Sequence, residues 1–442
     1  MTTCKFILSD YRAVRKADIN LNGITVIAGE NGCGKTTTTR WIYYLLEIIS
    51  NFEEYAFADY KNALRHVVNK LDAIRREVGF YSDMDKMPNI SRLRSRIMNL
   101  QNESQDEIAA FTLLFEEATI KLAEVLKTYF DSPKDLSRKQ RLLANLDIFG
   151  GKETFDSEVF VSAMLAQINE CYDKYNEVYS RRYNVHMWST LHKYFDEKLT
   201  IPKYIRFVED GVEIIGNKQF GHSFGISRCI YVDTPMALAR MQDTDNIFWQ
   251  RLRKMMFTKR EGQLTIEVRR MIHRIRKIIN GAIVVDPDSI DDDELRFVRE
   301  DDGLNIPIEE TATGLKSFAY ILRLLENGLL DDRTLMIIDE PEVHLHPQWI
   351  VEFANLLVEL HKEIGLRILV ASHNPDFVSA VHSISENKGI IDDLSFYLAE
   401  VDDSNKFVYN YRDLGANIGP IFESFNIALS RIELYGGRGA GI

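Results

Sequence analysis

The chain has 442 residues, 45% of them apolar and 27% charged, which makes it globular, with material for one large core and a second lobe. A formal net charge of −12 disfavours indiscriminate coating of nucleic acid but leaves room for a local basic patch. Cys4, Cys33, Cys171 and Cys229 show no CxxC or CxH spacing, which argues against a disulfide framework or a zinc knuckle and fits a reducing, cytoplasmic setting. The opening Met1-Thr2-Thr3-Cys4-Lys5 leads into a strand-like Phe6-Ile7-Leu8, so no export signal is expected. No membrane span is expected either, since the most apolar stretch, residues 41–49, is short and carries Glu47.

In chain order the first informative element is the run Ile24-Thr25-Val26-Ile27-Ala28, which reads as a buried strand. It delivers the chain to Gly29-Glu30-Asn31-Gly32-Cys33-Gly34-Lys35-Thr36, a full GxxxxGK[ST] phosphate-binding loop. Gly29, Gly32 and Gly34 let backbone amides close around phosphate oxygens, and residues 36–49 have the apolar spacing of a helix whose N-terminal dipole faces the same anion. Lys35, expected to be exposed in the empty loop, is placed to reach the terminal phosphates, and the Thr36 hydroxyl to hold Mg²⁺. Asn31, Cys33 and Thr37 complete the loop's candidate ATP contacts.

Most of residues 45–200 reads as an insertion, helical in pattern and poor in strands. Residues 108–130 form a long amphipathic helix and residues 158–194 one or two more, separated by Pro133 and Gly150-Gly151. There are no sustained heptads, so no coiled-coil arm is expected. Strands follow at 204–215, with Glu209-Asp210-Gly211 as a hairpin turn, at 228–232, at 295–298 and around Ile306-Pro307-Ile308. Between them, residues 251–277 hold ten Arg and Lys against Glu261 and Glu267. Within 264–280, Leu264, Val268, Met271, Ile272, Ile275 and Ile279 recur at helical spacing and leave Arg269, Arg270, His273, Arg274 and Lys277 on other faces. Two readings stay open: a phosphate-backbone contact, or a solvated helix that pairs with another subunit or with the acid-rich segment that follows, Asp286, Asp288, Asp291, Asp292, Asp293 and Glu294.

The second nucleotide motif is Leu335-Met336-Ile337-Ile338-Asp339-Glu340, an apolar run ending in two acids. It reads as a buried parallel strand whose acids emerge at the C-terminal edge, where ligands of open α/β sheets bind. Asp339 there is a Mg²⁺ ligand candidate and Glu340 a candidate to polarise an attacking water. A short way before it, Glu310-Thr311-Ala312-Thr313-Gly314-Leu315-Lys316-Ser317 opens a helix; after it come Pro341-Glu342-Val343-His344-Leu345-His346-Pro347 and, past the strand 368–371, Ser372-His373-Asn374-Pro375. His344 and His346, two apart, suggest a metal site, but no third ligand stands near them in sequence.

Together the phosphate loop, small-polar-Gly helix start, acidic strand and post-strand histidine resemble the ABC-type ATPase head of the SMC, RecF and OLD families, most closely the OLD-like and RecF-like members. The resemblance covers residues 1–45 and 295–380. It implies an α/β fold, a P-loop ABC-type ATPase head at 1–45 and 200–430, with a large helical lobe inserted at 46–199 and a flexible C-terminal tail at 431–442. It further implies that two heads sandwich two ATP molecules, with Thr311, Thr313 and Gly314 presented to nucleotide held by the other subunit. His373 would be the switch histidine at the γ-phosphate. Leu8-Ser9-Asp10-Tyr11-Arg12 is similar to the family's first strand and would bring Arg12 near the nucleotide.

Two departures matter. Ala312 stands where related signatures usually place Ser, so Thr311 or Thr313 must supply the hydroxyl. The usual Gln after the strand at 228–232 is absent, and Asp233 or Thr234 substitutes, which predicts slow turnover. The expected function is a cytoplasmic ATPase that dimerises, or assembles further, and hydrolyses ATP to ADP and phosphate. Its architecture resembles the ATPase subunits of bacterial two-component anti-phage systems, PtuA of Septu and AriA of PARIS, so control of a separate effector such as a nuclease is expected. The alternatives are a RecF-like DNA-binding repair ATPase, with the basic helix as its footprint, and a scaffold that binds ATP without hydrolysing it.

Overall fold

The structure, a computed structural model, describes residues 2–78, 87–101, 105–133, 136–145, 154–196, 198–216, 218–233, 247–260, 262–286, 294–343 and 345–424. It divides into two compact units, Met1–Ser50 with Met187–Ile442, and Asn51–His186. The larger unit holds strands β1 (Cys4–Tyr11), β2 (Val14–Asn20), β3 (Ile24–Ala28), β4 (Tyr204–Glu209), β5 (Val212–Glu213), β6 (Arg228–Val232), β7 (Ala282–Val285), β8 (Leu295–Arg299), β9 (Leu304–Pro307), β10 (Thr334–Asp339), β11 (Arg367–Ser372), β12 (Leu394–Asp402) and β13 (Asn405–Gly415). Ten of them form one sheet in the order β5-β4-β1-β2-β13-β12-β3-β11-β10-β6, and β7, β8 and β9 form a small antiparallel sheet.

The large sheet changes character along its width. From β12 to β6 neighbouring strands are parallel, and every residue of β3, β10 and β11 is buried. Such strands are covered on both faces, which is why they read as continuous apolar runs. At the other end β1 pairs antiparallel with β2 and β4, and its burial alternates along most of its length.

Helices are α1 (Lys35–Val78), α2 (Ile90–Asn99), α3 (Gln105–Asp131), α4 (Leu136–Asn145), α5 (Ser157–Arg181), α6 (Asn184–Tyr194), α7 (Ile247–Phe257), α8 (Ile266–Ile279), α9 (Thr313–Glu326), α10 (Pro347–Ile364) and α11 (Pro375–Asn387). Alternate residues Ile24, Val26 and Ala28 of β3, with Met336 and Ile338 of β10, join a core with Phe318 and Leu322 of α9 and Phe353 and Leu357 of α10. α1 leaves helical geometry at Asn51 (φ −116°, ψ 17°), where the smaller unit begins. That unit has its own core, including Phe111, Phe115 and Leu122 of α3 and Phe160 and Met164 of α5. Asp156 caps α5 by accepting from the Glu158 and Val159 amides.

The charges of α8 find partners different from those the sequence suggests. Among the described residues they do not turn to the acid-rich segment that follows: Arg274 pairs with Glu359 of α10, Arg276 with Glu326 of α9 at 2.7 Å, and Arg270 with Glu363 of α10 at 4.0 Å. Asp286 and Glu294 instead flank Arg296, and Asp288 and residues 291–293 lie outside the described residues. The apolar face of α8 packs Val268, Met271, Ile272, Ile275 and Ile279 into the core, and this orientation sets its arginines beside α9 and α10.

Candidate functional site

The phosphate loop leaves β3 at the edge where β11 and β10 also end. Gly32 (φ 85°) and Gly34 (φ 95°) adopt backbone conformations that side chains rarely reach, and a Cβ on Gly34 would stand 2.8 Å from Val14 Cγ2 of β2. Cys33 is buried, and burial raises its thiol pKa despite the nearby Lys35. The loop is propped by β13, from the middle of the sheet: the Tyr411 hydroxyl donates to the Cys33 carbonyl at 3.2 Å and accepts from the Thr38 hydroxyl at 3.4 Å. Asn31 and Gly32 are exposed at the rim, while Thr36 and Thr37 are half-buried in the first turn of α1.

Lys35 departs from expectation. It is 5% exposed, and its ammonium donates to the Gly29 carbonyl at 2.8 Å and the Glu30 carbonyl at 3.0 Å. The glycine turn directs these two carbonyls inward, and the ammonium satisfies them in place of water.

Opposite the loop, β10 ends in Asp339 and Glu340. Asp339 is buried; its Oδ2 accepts from the Tyr231 hydroxyl of β6 at 3.2 Å, while its Oδ1 is buried with no partner. Burial pushes its carboxyl above the ordinary aspartate range; the nearby Thr36 side chain opposes this and the Glu340 charge adds to it. Thr36 and Asp339 are thus neighbours. Glu340 is half-buried in left-handed backbone (φ 51°), a conformation costly for a residue with a side chain. Its amide donates to the Ala371 carbonyl at 2.8 Å, which ties this turn to β11.

His373 follows β11 and meets these acids. Its Nδ1 lies 3.4 Å from Glu340 Oε1 and 3.4 Å from Glu342 Oε1. Glu342 is 7% exposed and accepts from the Ser372 hydroxyl at 2.8 Å and the His373 amide at 3.0 Å.

The remaining predicted residues are less closely joined. Arg12 is exposed on the β1–β2 turn with φ 52°, its guanidinium 5.4 Å from the Tyr11 ring centroid. At the start of α9, Thr311 is buried and its hydroxyl donates to the Ile308 carbonyl at 2.7 Å, so of the two candidate hydroxyls only Thr313's is left to serve a ligand without breaking that bond. Ala312 occupies the N-cap without a side-chain bond, and a Cβ on Gly314 would meet Trp349 Cγ at 3.5 Å. Asp233 accepts from the Trp249 indole at 2.7 Å, and Thr234 lies outside the described residues, as do His344 and the tail 431–442. His346 caps α10, its Nδ1 facing the Gln348 amide at 3.4 Å.

Sequence reasoning assigned no role to Tyr231, Glu342 or Tyr411. A third acid two residues past Glu340 was a usable signal for Glu342. Tyr411 had none near the loop, because its strand stands 378 positions from the residue it supports.

A family profile described as "AAA domain, putative AbiEii toxin, Type IV TA system" matches residues 237–379, which include α9, β10 and the His373 loop. The chain is also similar to the energy-coupling factor transporter ATP-binding proteins EcfA3 and EcfA2 of Clostridium perfringens, 35% identical over 72 residues, 16% of this chain. It spans only 25% of the length of these curated relatives. Among solved structures it is similar to the SMC head domain from Thermotoga maritima (11% identity, 94% of this chain and 99% of that one, TM-score 0.33). It is also similar to MJ1267, an ATP-binding cassette of an ABC transporter, in its ADP conformation (10% identity, 99% and 100%, TM-score 0.35). No helix among the described residues is long and apolar enough to cross a membrane. The larger unit is an α/β fold with a phosphate loop between a buried parallel strand and a helix and the acidic strand two places away in the same sheet, and the smaller, helical unit, residues 51–186, interrupts it in sequence.

Proposed function

We propose that this chain is an ATP-binding and ATP-hydrolysing switch whose heads dimerise through composite sites. The observation that carries the reading is the buried, unpartnered Oδ1 of Asp339 beside Thr36. A buried carboxylate oxygen without a partner is costly, and a hydroxyl and a carboxylate are the hard oxygen donors that Mg²⁺ takes. These two residues would hold the ion, which when bound supplies charge neutralisation at the phosphates. Gly29, Gly32 and Gly34, with the amides of Asn31, Cys33 and Thr37, would cradle the phosphates, and Lys35 would exchange its two loop carbonyls for phosphate oxygens. Glu340 would orient and deprotonate water, with His373 beside it, and Arg12 would approach from the β1–β2 turn. Thr313 and Gly314, backed by Thr311, would complete the site of a second copy.

The decisive test compares Lys35→Ala with Glu340→Gln in nucleotide titrations of protein shown to be folded by circular dichroism. Lys35→Ala should lose ATP binding; Glu340→Gln should bind ATP, fail to turn it over and accumulate as a closed pair. Undiminished affinity in Lys35→Ala would remove the site assignment.

The switch, in this proposal, controls a separately encoded effector, a nuclease in bacterial anti-phage defence. Supporting it are the helical lobe, which exceeds what hydrolysis needs, and the matched profile's description, which names a toxin of a type IV TA system. Only a contact that differs between ATP-bound and empty states can be shifted by ATP. Affinity purification from the native host should recover the effector; recovery of the chain alone, with ATPase stimulated by duplex DNA, would favour the RecF-like repair reading.

A further inference from the structure

We infer that Glu342 is the positioning residue for His373: it fixes the loop carrying the ring and holds Nδ1–H inward, leaving Nε2 as the edge available to a ligand. The inference rests on reading this site as the ATPase centre. Glu342 Oε1 gathers three groups of one loop: the Ser372 hydroxyl, the His373 amide and, at 3.4 Å, His373 Nδ1. The Nδ1 atom is buried and makes no hydrogen bond in this arrangement, although the side chain as a whole is 41% exposed, so what faces it is carboxylate charge at close range. Glu340 Oε1 faces the same nitrogen from the other acid, also at 3.4 Å. The carboxylate oxygens of these two residues repel an unprotonated nitrogen's lone pair, so their proximity favours the proton on Nδ1.

The arrangement extends outward from Glu342. Ser372 Oγ accepts from the Asn374 amide at 3.1 Å, and Asn374 caps α11 by accepting from the Asp376 and Phe377 amides at 2.8 and 3.0 Å. One carboxylate therefore links the turn after β10, the end of β11 and the start of α11. Its Oε2 is buried without a partner, which is a poor arrangement for stability alone and an understandable one for a group whose work is to orient a neighbour.

The test reads the ring directly. The full chain, nucleotide-free and labelled with ¹⁵N-histidine, is examined by two-bond ¹H–¹⁵N correlation well above the ordinary histidine pKa. His373→Gln identifies the resonance among the ten histidines. Wild-type protein should show the Nδ1–H tautomer, and Glu342→Gln, which keeps the acceptor oxygen, should retain it. Glu342→Met, of similar reach but without an acceptor, should lose it and lower kcat for ATP about 10- to 100-fold with KM little changed. An Nε2–H tautomer in the wild type, or an unchanged tautomer in folded Glu342→Met, overturns the proposal; the wild-type measurement decides even if Glu342→Met does not fold. A tautomer that depends on Glu342 in a chain with no ATPase activity would sink the ATPase reading and leave the positioning role standing.

Discussion

In the proposed site, Asp339 is the residue at which stability and ligand binding would pull in opposite directions. Its carboxyl is raised in the folded chain, so its contribution to stability is present in full below its unfolded pKa and lost as pH rises through the folded value. Above that value the ion-free protein carries the cost of a buried, ionised acid. Asp339→Asn should melt at a higher temperature than wild type at neutral pH, with the gain shrinking as the pH falls below the ordinary aspartate range; it should also lose stabilisation by Mg²⁺ and ATP. A gain that persists undiminished in acid would mean that charge is not its source. Tyr411→Phe makes a second prediction at this scale. Removing a hydroxyl that bonds the Cys33 carbonyl and Thr38 should cost about 1 kcal/mol and weaken ATP binding several-fold, measured by calorimetry. Equal affinity would show that the loop holds its shape without the prop. The residue identities of the loop were legible in the sequence, whereas the inward turn of Lys35 was not, because spacing gives a side chain's reach and not the carbonyls it finds in an empty loop.

Among elements, legibility followed burial. β3, β6 and β10 are covered on both faces and appear in the sequence as unbroken apolar runs, and the Asp210-Gly211 turn between β4 and β5 is marked by its residues. β13 reads NKFVYNYRDLG, with Tyr411 its only buried residue, and β2 reads VRKADIN; neither has a run or a clean alternation to announce it. α1 was readable only as far as its apolar spacing held, but it continues to Val78 across the non-helical Asn51. At the signature, a Cβ on Gly314 would sit at ordinary contact distance from Trp349, and Gly in a helix is worse than Ala by roughly 0.5–1 kcal/mol. Gly314→Ala should thus leave the melting temperature equal or slightly raised. Lost ATPase activity in that folded variant, or in Gly314→Arg, would then report on the second copy's nucleotide and not on misfolding. Normal turnover in Gly314→Arg would count against the composite site.

For the molecule as a whole, a net charge of −12 leaves room for a local basic patch, and the sequence leaves two readings of the basic helix open. The packing of α8 favours one of them. Arg270, Arg274 and Arg276 face glutamates of α10 and α9, and charges neutralised in this way release few counterions from a phosphate backbone. Plain duplex DNA should accordingly show no saturable binding by fluorescence anisotropy at physiological salt and should not stimulate ATP hydrolysis. Tight binding that falls steeply with salt would reverse this conclusion. The pairing was not legible beforehand, since it depends on which face of α8 enters the core and so on which helices its arginines meet.

The prop beneath the phosphate loop also has a consequence for the order of events during synthesis. Tyr411 and the Cys33 carbonyl it supports are 378 residues apart, so the loop emerges from the ribosome long before its support exists. At ~5–20 residues per second, that interval is roughly 20–75 s. Throughout it β2 has no β13 to pair with, and the phosphate loop is without its prop while most of the chain is being made. If the loop binds ATP as proposed, that competence would be acquired late, when a strand encoded near residue 410 closes the middle of a sheet that includes residue 4.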